Sequence, residues 1–255
     1  MNSDLLFLKN TPIPDLASMR ALRAGYRNQS LDSSSPYFDE PLVDLLALGL
    51  CGKNYYHRPD NRPYFLSVPG AIPQLYARQT IGKKLLAINA AMKNFGYRIF
   101  LHDAYRPLAV QQFFHDQWMP AFVKKNNPHF DHDAIMAETE KYWAIPSDDP
   151  LSPSPHLSGA AVDITLMALD DDREIDMGSQ FDEFTELSHT DHFERAGGNN
   201  IVARNHRRIL YGVMIKAGFA NHPNEWWHFS WGDQMWARLS GEVKGFYGLA
   251  TMPSA

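Results

Sequence analysis

Apolar side chains recur at spacings of three and four from Ile81 through Leu85, Ile88 and Met92 to Phe95, a stripe along one face of a helix. Pro73 suits the first turn of that helix, and Gly96 is placed to end it. Directly after it, Tyr97–Asp103 alternates like a strand and runs into Ala104-Tyr105-Arg106-Pro107. A second helix is expected over 108–119 and another from near Asp133. Pro146, Pro150, Pro153 and Pro155 make 144–155 an irregular loop that delivers the chain to His156. Gly159 permits a bend, and 160–166 reads as a buried strand carrying Asp163. A polar stretch over 180–200 ends in Gly197-Gly198-Asn199-Asn200, where an Asn is a good helix cap. The helix it starts, 201–217, is stopped by Gly218, and a hairpin then joins 219–222 to 225–231 across Pro223-Asn224.

Helices and strands mix without strict alternation, which predicts an α+β fold with an antiparallel central sheet flanked by helices. Residues 1–70 are rich in Pro, Asn, Ser and Tyr and hold one apolar patch, Leu42–Leu50. They read as a loop-rich lead-in packed on a main body of about 71–240, all within one domain spanning 1–255. A net charge of −5 with no basic patch argues against a nucleic-acid or anionic-membrane partner. Cys51 stands alone, so neither an internal disulfide nor a cysteine metal cluster is available. The start, Met1-Asn2-Ser3-Asp4, lacks the basic residues and long apolar run of a secretory signal. No apolar run approaches the roughly 20 residues of a membrane span. A soluble, cytoplasmic protein is expected.

The chemistry concentrates in two short segments. One runs from Ser154 through His156 and Gly159 to Asp163; the other is Glu225-Trp226-Trp227-His228. Two His and one Asp satisfy one zinc ion per chain and leave its fourth position open, the layout of a catalytic site. Singly, His156 reads as a loop residue and Asp163 as a satisfied acid. Yet Asp163 lies between Val162 and Ile164, where an ionised carboxylate is costly unless paired or metal-bound. His228 supplies the third ligand, and Glu225 is left as proton acceptor for a water that the ion polarises. Trp226 and Trp227 are positioned to wall the site and keep solvent out. Arg106, at the end of its strand, is a fixed cation for the charge that grows on an attacked carbonyl oxygen. Asp103 is placed to orient it by a bidentate contact. The spaced pairs His129–His132 and His189–His192 lack a third ligand and are not read as metal sites.

The segments Asp103–Gln111, Ser154–Leu166, Ile175–Phe184 and Glu225–Phe229 resemble the VanX-type D-alanyl-D-alanine dipeptidases. Those are zinc peptidases that share a fold with D,D-carboxypeptidases and with the amino-terminal signalling domain of Hedgehog. The resemblance runs from about residue 70 to about 235, with the motifs in order. It implies zinc held by His156, Asp163 and His228, Glu225 as the base, and Arg106 as stabiliser of the transition state. It further implies that Ser154 helps hold the carboxylate end of a dipeptide and that Asp182 recognises its free ammonium. The family also has a substrate-binding tyrosine, for which Tyr55 and Tyr56 are the candidates. The expected reaction is hydrolysis of D-Ala-D-Ala, with no nucleic-acid or membrane partner. The alternatives are a D,D-carboxypeptidase or muropeptide endopeptidase, and a zinc-stabilised binding module without turnover.

Overall fold

The computed structural model describes residues 3–195 and 200–253. Two short helices, α1 (Ser3–Asn10) and α2 (Ala17–Arg23), open the chain. Three short strands follow, β1 (Ser30–Leu31), β2 (Leu42–Asp44) and β3 (Cys51–Gly52). Next come β4 (Tyr76–Arg78), α3 (Gln79–Lys93), β5 (Tyr97–Asp103), α4 (Leu108–Phe113), α5 (Met119–Asn126) and α6 (His132–Thr139). After β6 (Ala161–Ala168), α7 (His192–Arg195) and α8 (Ile201–Lys216) precede the hairpin of β7 (Ala220–Asn221) and β8 (His228–Ser230). The described chain closes with α9 (Gln234–Ser240) and β9 (Lys244–Gly245).

The architecture is α+β. Five strands form the central sheet in the order β3-β5-β6-β8-β7. Pairing is antiparallel from β5 to β7, but β3 joins β5 in parallel, so the sheet is mixed at that edge rather than antiparallel throughout. A parallel neighbour needs a crossover, and here the long lead between Gly52 and Tyr97, with α3 in it, supplies one. The apolar stripe of α3 is buried as its spacing demands: Ile81, Leu85, Ile88 and Met92 share one core with Ile99, Leu101, Val162, Ile164 and Leu166.

Two further differences from the sequence reading have physical causes. Residues 76–78 are not the first turn of α3; they form β4, which pairs antiparallel with β2 at Leu42↔Arg78 and Asp44↔Tyr76. A partner more than thirty residues away leaves no local trace, and strand pairing overrides the helix-start signal of Pro73. The helix expected over 108–119 instead continues from α4 through a π turn at Phe114–Trp118 into α5. Pro120 falls just after the junction of the π turn with α5.

Other expectations meet the structure directly. The Asn200 side chain accepts from Ala203 N at 3.0 Å and caps α8, while Gly197, Gly198 and Asn199 lie outside the described residues. The Pro223-Asn224 hairpin forms with register Ala220↔Ser230 and Asn221↔Phe229. Among the described residues, no helix is long and apolar enough to cross a membrane.

The lead-in is tied to the body at several points. β1 pairs with β9 and β3 with β5. Arg20 of α2 grips the buried Asp191 by two bonds, Nη1–Oδ1 at 3.0 Å and Nη2–Oδ2 at 3.1 Å, and Leu16 N donates to the same carboxylate at 2.9 Å. At the other end of α2, Arg238 Nε of α9 donates to Leu22 O at 3.2 Å.

Candidate metal centre and active site

Strand register brings the chemistry together. Asp103 on β5, Asp163 on β6 and His228 on β8 form one row across three neighbouring strands. A one-residue irregularity between Leu101 and Asp103 makes Asp103, rather than His102, stand opposite Asp163. His156 arrives from the loop before β6 through the bend at Gly159. That residue has φ +71, and a side chain there would lie 2.4 Å from Leu42 Cδ2, so glycine is required on both counts.

Three donor atoms converge. His156 Nε2 lies 3.5 Å from Asp163 Oδ1 and 3.1 Å from His228 Nδ1. His228 Nδ1 lies 3.1 Å from the same Oδ1. All three residues are buried. A tetrahedral ion with ligands at about 2.05 Å has donor-to-donor edges of about 3.3 Å, which is the spacing found. His156 Nδ1 is 2.7 Å from Ala104 O, an arrangement that places its proton there and leaves the Nε2 lone pair facing the other donors. Two imidazole nitrogens 3.1 Å apart need a shared proton or a cation between them. Asp163 Oδ1 is buried and without a hydrogen-bond partner. The donor set therefore fits a zinc-type cation. Burial opposes ionisation of Asp163, but the imidazoles of His156 and His228 outweigh it and hold the carboxyl well below its usual range.

Glu225 stands beside this set without joining it. Its Oε2 is 3.8 Å from His228 Nδ1, and its Oε1 is 3.9 Å from His222 Nε2. The hairpin turn fixes its backbone, with Glu225 N donating to His222 O at 3.0 Å. Burial, then the negative charge of Asp163, pushes its carboxyl up to about 8.

Arg106 is buried on the other flank. Its Nε donates to Asp103 Oδ2 at 2.8 Å, a single bond where a bidentate contact was expected. The other N–H groups are spread over Gln111 Oε1 (3.1 Å), the Tyr56 hydroxyl (3.2 Å) and Asp163 Oδ2 (3.2 Å). Its guanidinium carbon also lies 4.7 Å from the centre of the Tyr56 ring and 4.9 Å from that of Trp143. The cation is locked in place.

Asp182 is buried and held in the left-handed region at φ 56, where Asp is tolerated better than most side chains. The hydroxyls of Tyr56 and Tyr64 both donate to its Oδ2, at 2.7 and 2.8 Å. Burial, then Asp163, pushes its carboxyl up to about 7 in spite of those bonds.

His156, Asp163, His228, Glu225, Arg106, Asp182, Ser154 and Trp227 all line one cavity. Asp103 is not part of that lining but holds Arg106, which is. Trp226 is placed elsewhere: its Nε1 donates to Ser179 Oγ at 2.9 Å, and it lines a separate hollow with Tyr55 and His102. Of the two tyrosine candidates, Tyr56 lines the cavity, while the Tyr55 hydroxyl donates to Arg62 O at 2.7 Å. Tyr64, Gln111, His222, Tyr142, Trp143 and Arg23 were not singled out from sequence. Gln111 and His222 fall in the expected helix and hairpin, but nothing local marks any of these six as facing the site; the three-dimensional arrangement reveals them.

The model of the Peptidase_M15 family, described as D-ala-D-ala dipeptidase, matches residues 74–244. A D-alanyl-D-alanine dipeptidase of Synechocystis is 38% identical over 155 residues, covering 55% of this chain and 62% of the relative. The chain thus spans less than two thirds of that protein's length. One of Enterococcus faecium is 31% identical over 149 residues, covering 58% of this chain and 69% of the relative. Among solved structures, VanYB in complex with D-Alanine-D-Alanine aligns at TM-score 0.41 and 18% identity, over 74% of this chain and 91% of that one. On the extent of the family match, this chain belongs to the Peptidase_M15 family of D-ala-D-ala dipeptidases.

Proposed function

We propose that the protein is a zinc-dependent dipeptidase that hydrolyses D-Ala-D-Ala. The observation that carries this reading is the convergence of His156, Asp163 and His228 at 3.1–3.5 Å, with Glu225 poised 3.8 Å beyond. The names of the relatives and the family match support the choice of substrate.

His156 Nε2, Asp163 Oδ1 and His228 Nδ1 would hold the cation. When bound, it supplies Lewis acidity that makes water a competent nucleophile near neutral pH and polarises a carbonyl. Glu225 takes the proton of the attacking water and returns it to the leaving amine. Burial raises the proton affinity of this carboxyl above that of a free one, and a cation bound beside it would favour the ionised form that accepts the proton. Arg106 presents a fixed positive charge to the oxygen on which negative charge develops, and its anchoring by Asp103 and Gln111 means that no reorganisation is needed at that moment. On this reading Asp182, supported by Tyr56 and Tyr64, receives the substrate ammonium, and Ser154, which lines the cavity, helps hold the carboxylate end. Trp227, Trp143 and Phe184 line the cavity and limit water.

The test is D-alanine release from D-Ala-D-Ala by zinc-reconstituted protein, with Glu225→Ala as the control. Release that the substitution abolishes supports the reading. No release from a sample holding one zinc per chain overturns it. N-acetyl-D-Ala-D-Ala, which has no ammonium, is expected to be a poor substrate; equal turnover would transfer the reading to a carboxypeptidase on longer peptides.

A further inference from the structure

We infer that Arg23, at the C-terminal end of α2, receives the carboxylate end of the dipeptide and so sets the requirement for a free C-terminus. The inference rests on the dipeptidase reading above. Arg23 belongs to the lead-in, outside the residues 74–244 that the family model matches.

Arg23 lines the same cavity as Glu225, His222, Ser154 and Met235. Its helix is held by Leu16 N and Arg20 on Asp191 and by the Arg238 bond to Leu22 O. The side chain thus projects from a held support rather than a wandering loop. Its own hydrogen-bonding capacity is largely unspent. Nε is buried with no partner, and Nη2 reaches only Lys141 O, at a long 3.4 Å. A guanidinium in this condition matches a carboxylate, which accepts two parallel N–H bonds.

Among the described residues, no other Lys or Arg in the cavity lining is free for that role. Arg106 is the other Lys or Arg side chain in its lining, and it is committed to Asp103, Gln111, Tyr56 and Asp163. Ser154 is neutral and offers one O–H donor, so it can add a single bond but not a charged, bidentate pair. The cavity also carries both signs of charge. Asp182 is held in it by the Tyr56 and Tyr64 hydroxyls. Arg23 lines it together with His222 and Glu225. A dipeptide zwitterion brings the matching pair, an ammonium and a carboxylate.

The experiment compares D-Ala-D-Ala with its C-terminal amide in wild type, Arg23→Gln and Arg23→Lys. None of the residues of α2 is fully buried, so these substitutions leave the core intact. A charge-assisted bond of this kind corresponds to about 10- to 100-fold in affinity. Arg23→Gln is expected to raise KM for the free acid by that factor with kcat within about threefold. The amide should lose less than about threefold in kcat/KM, and Arg23→Lys should recover part of the loss. Calorimetric binding of the two ligands to Glu225→Gln, with and without Arg23→Gln, gives the same comparison without turnover. Equal losses on acid and amide, or a fall in kcat alone, would overturn the inference while leaving the dipeptidase intact. If wild type neither binds nor cleaves the free acid, the dipeptidase reading falls and takes this inference with it.

Discussion

Asp163 and His228 face each other as register partners across β6 and β8, with Oδ1 and Nδ1 3.1 Å apart. Side-chain direction alternates along a strand, so a slip of one residue would turn one of them to the opposite face. The donor set is therefore a property of strand pairing as much as of residue identity. Asp163→Ala is expected to weaken zinc affinity by at least about 100-fold, since even outer-shell partners of a metal contribute 10- to 100-fold. Chelator competition and zinc stoichiometry measure this. A variant that holds zinc as wild type does would remove Asp163 from the ligand set.

Glu225→Gln keeps the shape of the side chain but removes its capacity to accept a proton. Zinc content should be unchanged and kcat should fall by about 100- to 10,000-fold, the range for loss of a general base. Near-wild-type kcat in a zinc-loaded preparation would reassign the base.

Asp182 carries a pH dependence whose sign is fixed by its burial. Its folded pKa is raised from 3.8 to about 7, so the fold favours the protonated acid. The stability this confers is full below about 3.8 and is lost as pH rises towards 7. In metal-free protein, the stability of Asp182→Asn relative to wild type should therefore increase across that window; denaturant titrations from pH 4 to 7.5 would test it. A nearby cation favours the ionised form. In the zinc-loaded enzyme, the pH at which dipeptide affinity rises should accordingly lie below 7, and Asp182→Asn should lack that rise.

Asp191 is the anchor of α2. Its fully buried side chain accepts from Arg20, Arg195 and Leu16 N. Asp191→Ala leaves these donors to find water, at a cost of about 1–3 kcal/mol. Chemical denaturation should show the loss, and limited proteolysis should show earlier cleavage near residues 11–24. A wild-type digestion pattern would mean that α2 is held by other contacts.

The features legible in the sequence are those with a local signature. The stripe of α3 is one, since the helical period exposes it within fifteen residues. Asp163 is another, because a carboxylate inside an apolar strand demands a partner. What could not be read depends on distant pairing. Tyr76–Arg78 become a strand only because Leu42–Asp44 lie alongside. Tyr64 reaches Asp182 across 118 residues, and Arg23 enters the cavity from a helix whose own sequence announces nothing. The parallel edge made by β3 is hidden for the same reason, being just two residues long.

The converging donors and Glu225 come from β6, the loop before it and the β7–β8 hairpin, whereas other parts of the cavity lining come from α2 and from Tyr142–Ala144. These stretches are not independent of the sheet: Trp143 lies over the Arg106 guanidinium, and Ala144 O accepts from Gln111, which holds that same cation. On the proposed reading, a change at the mouth is felt by the charge beside the donors, so what the cavity admits and what it does are coupled.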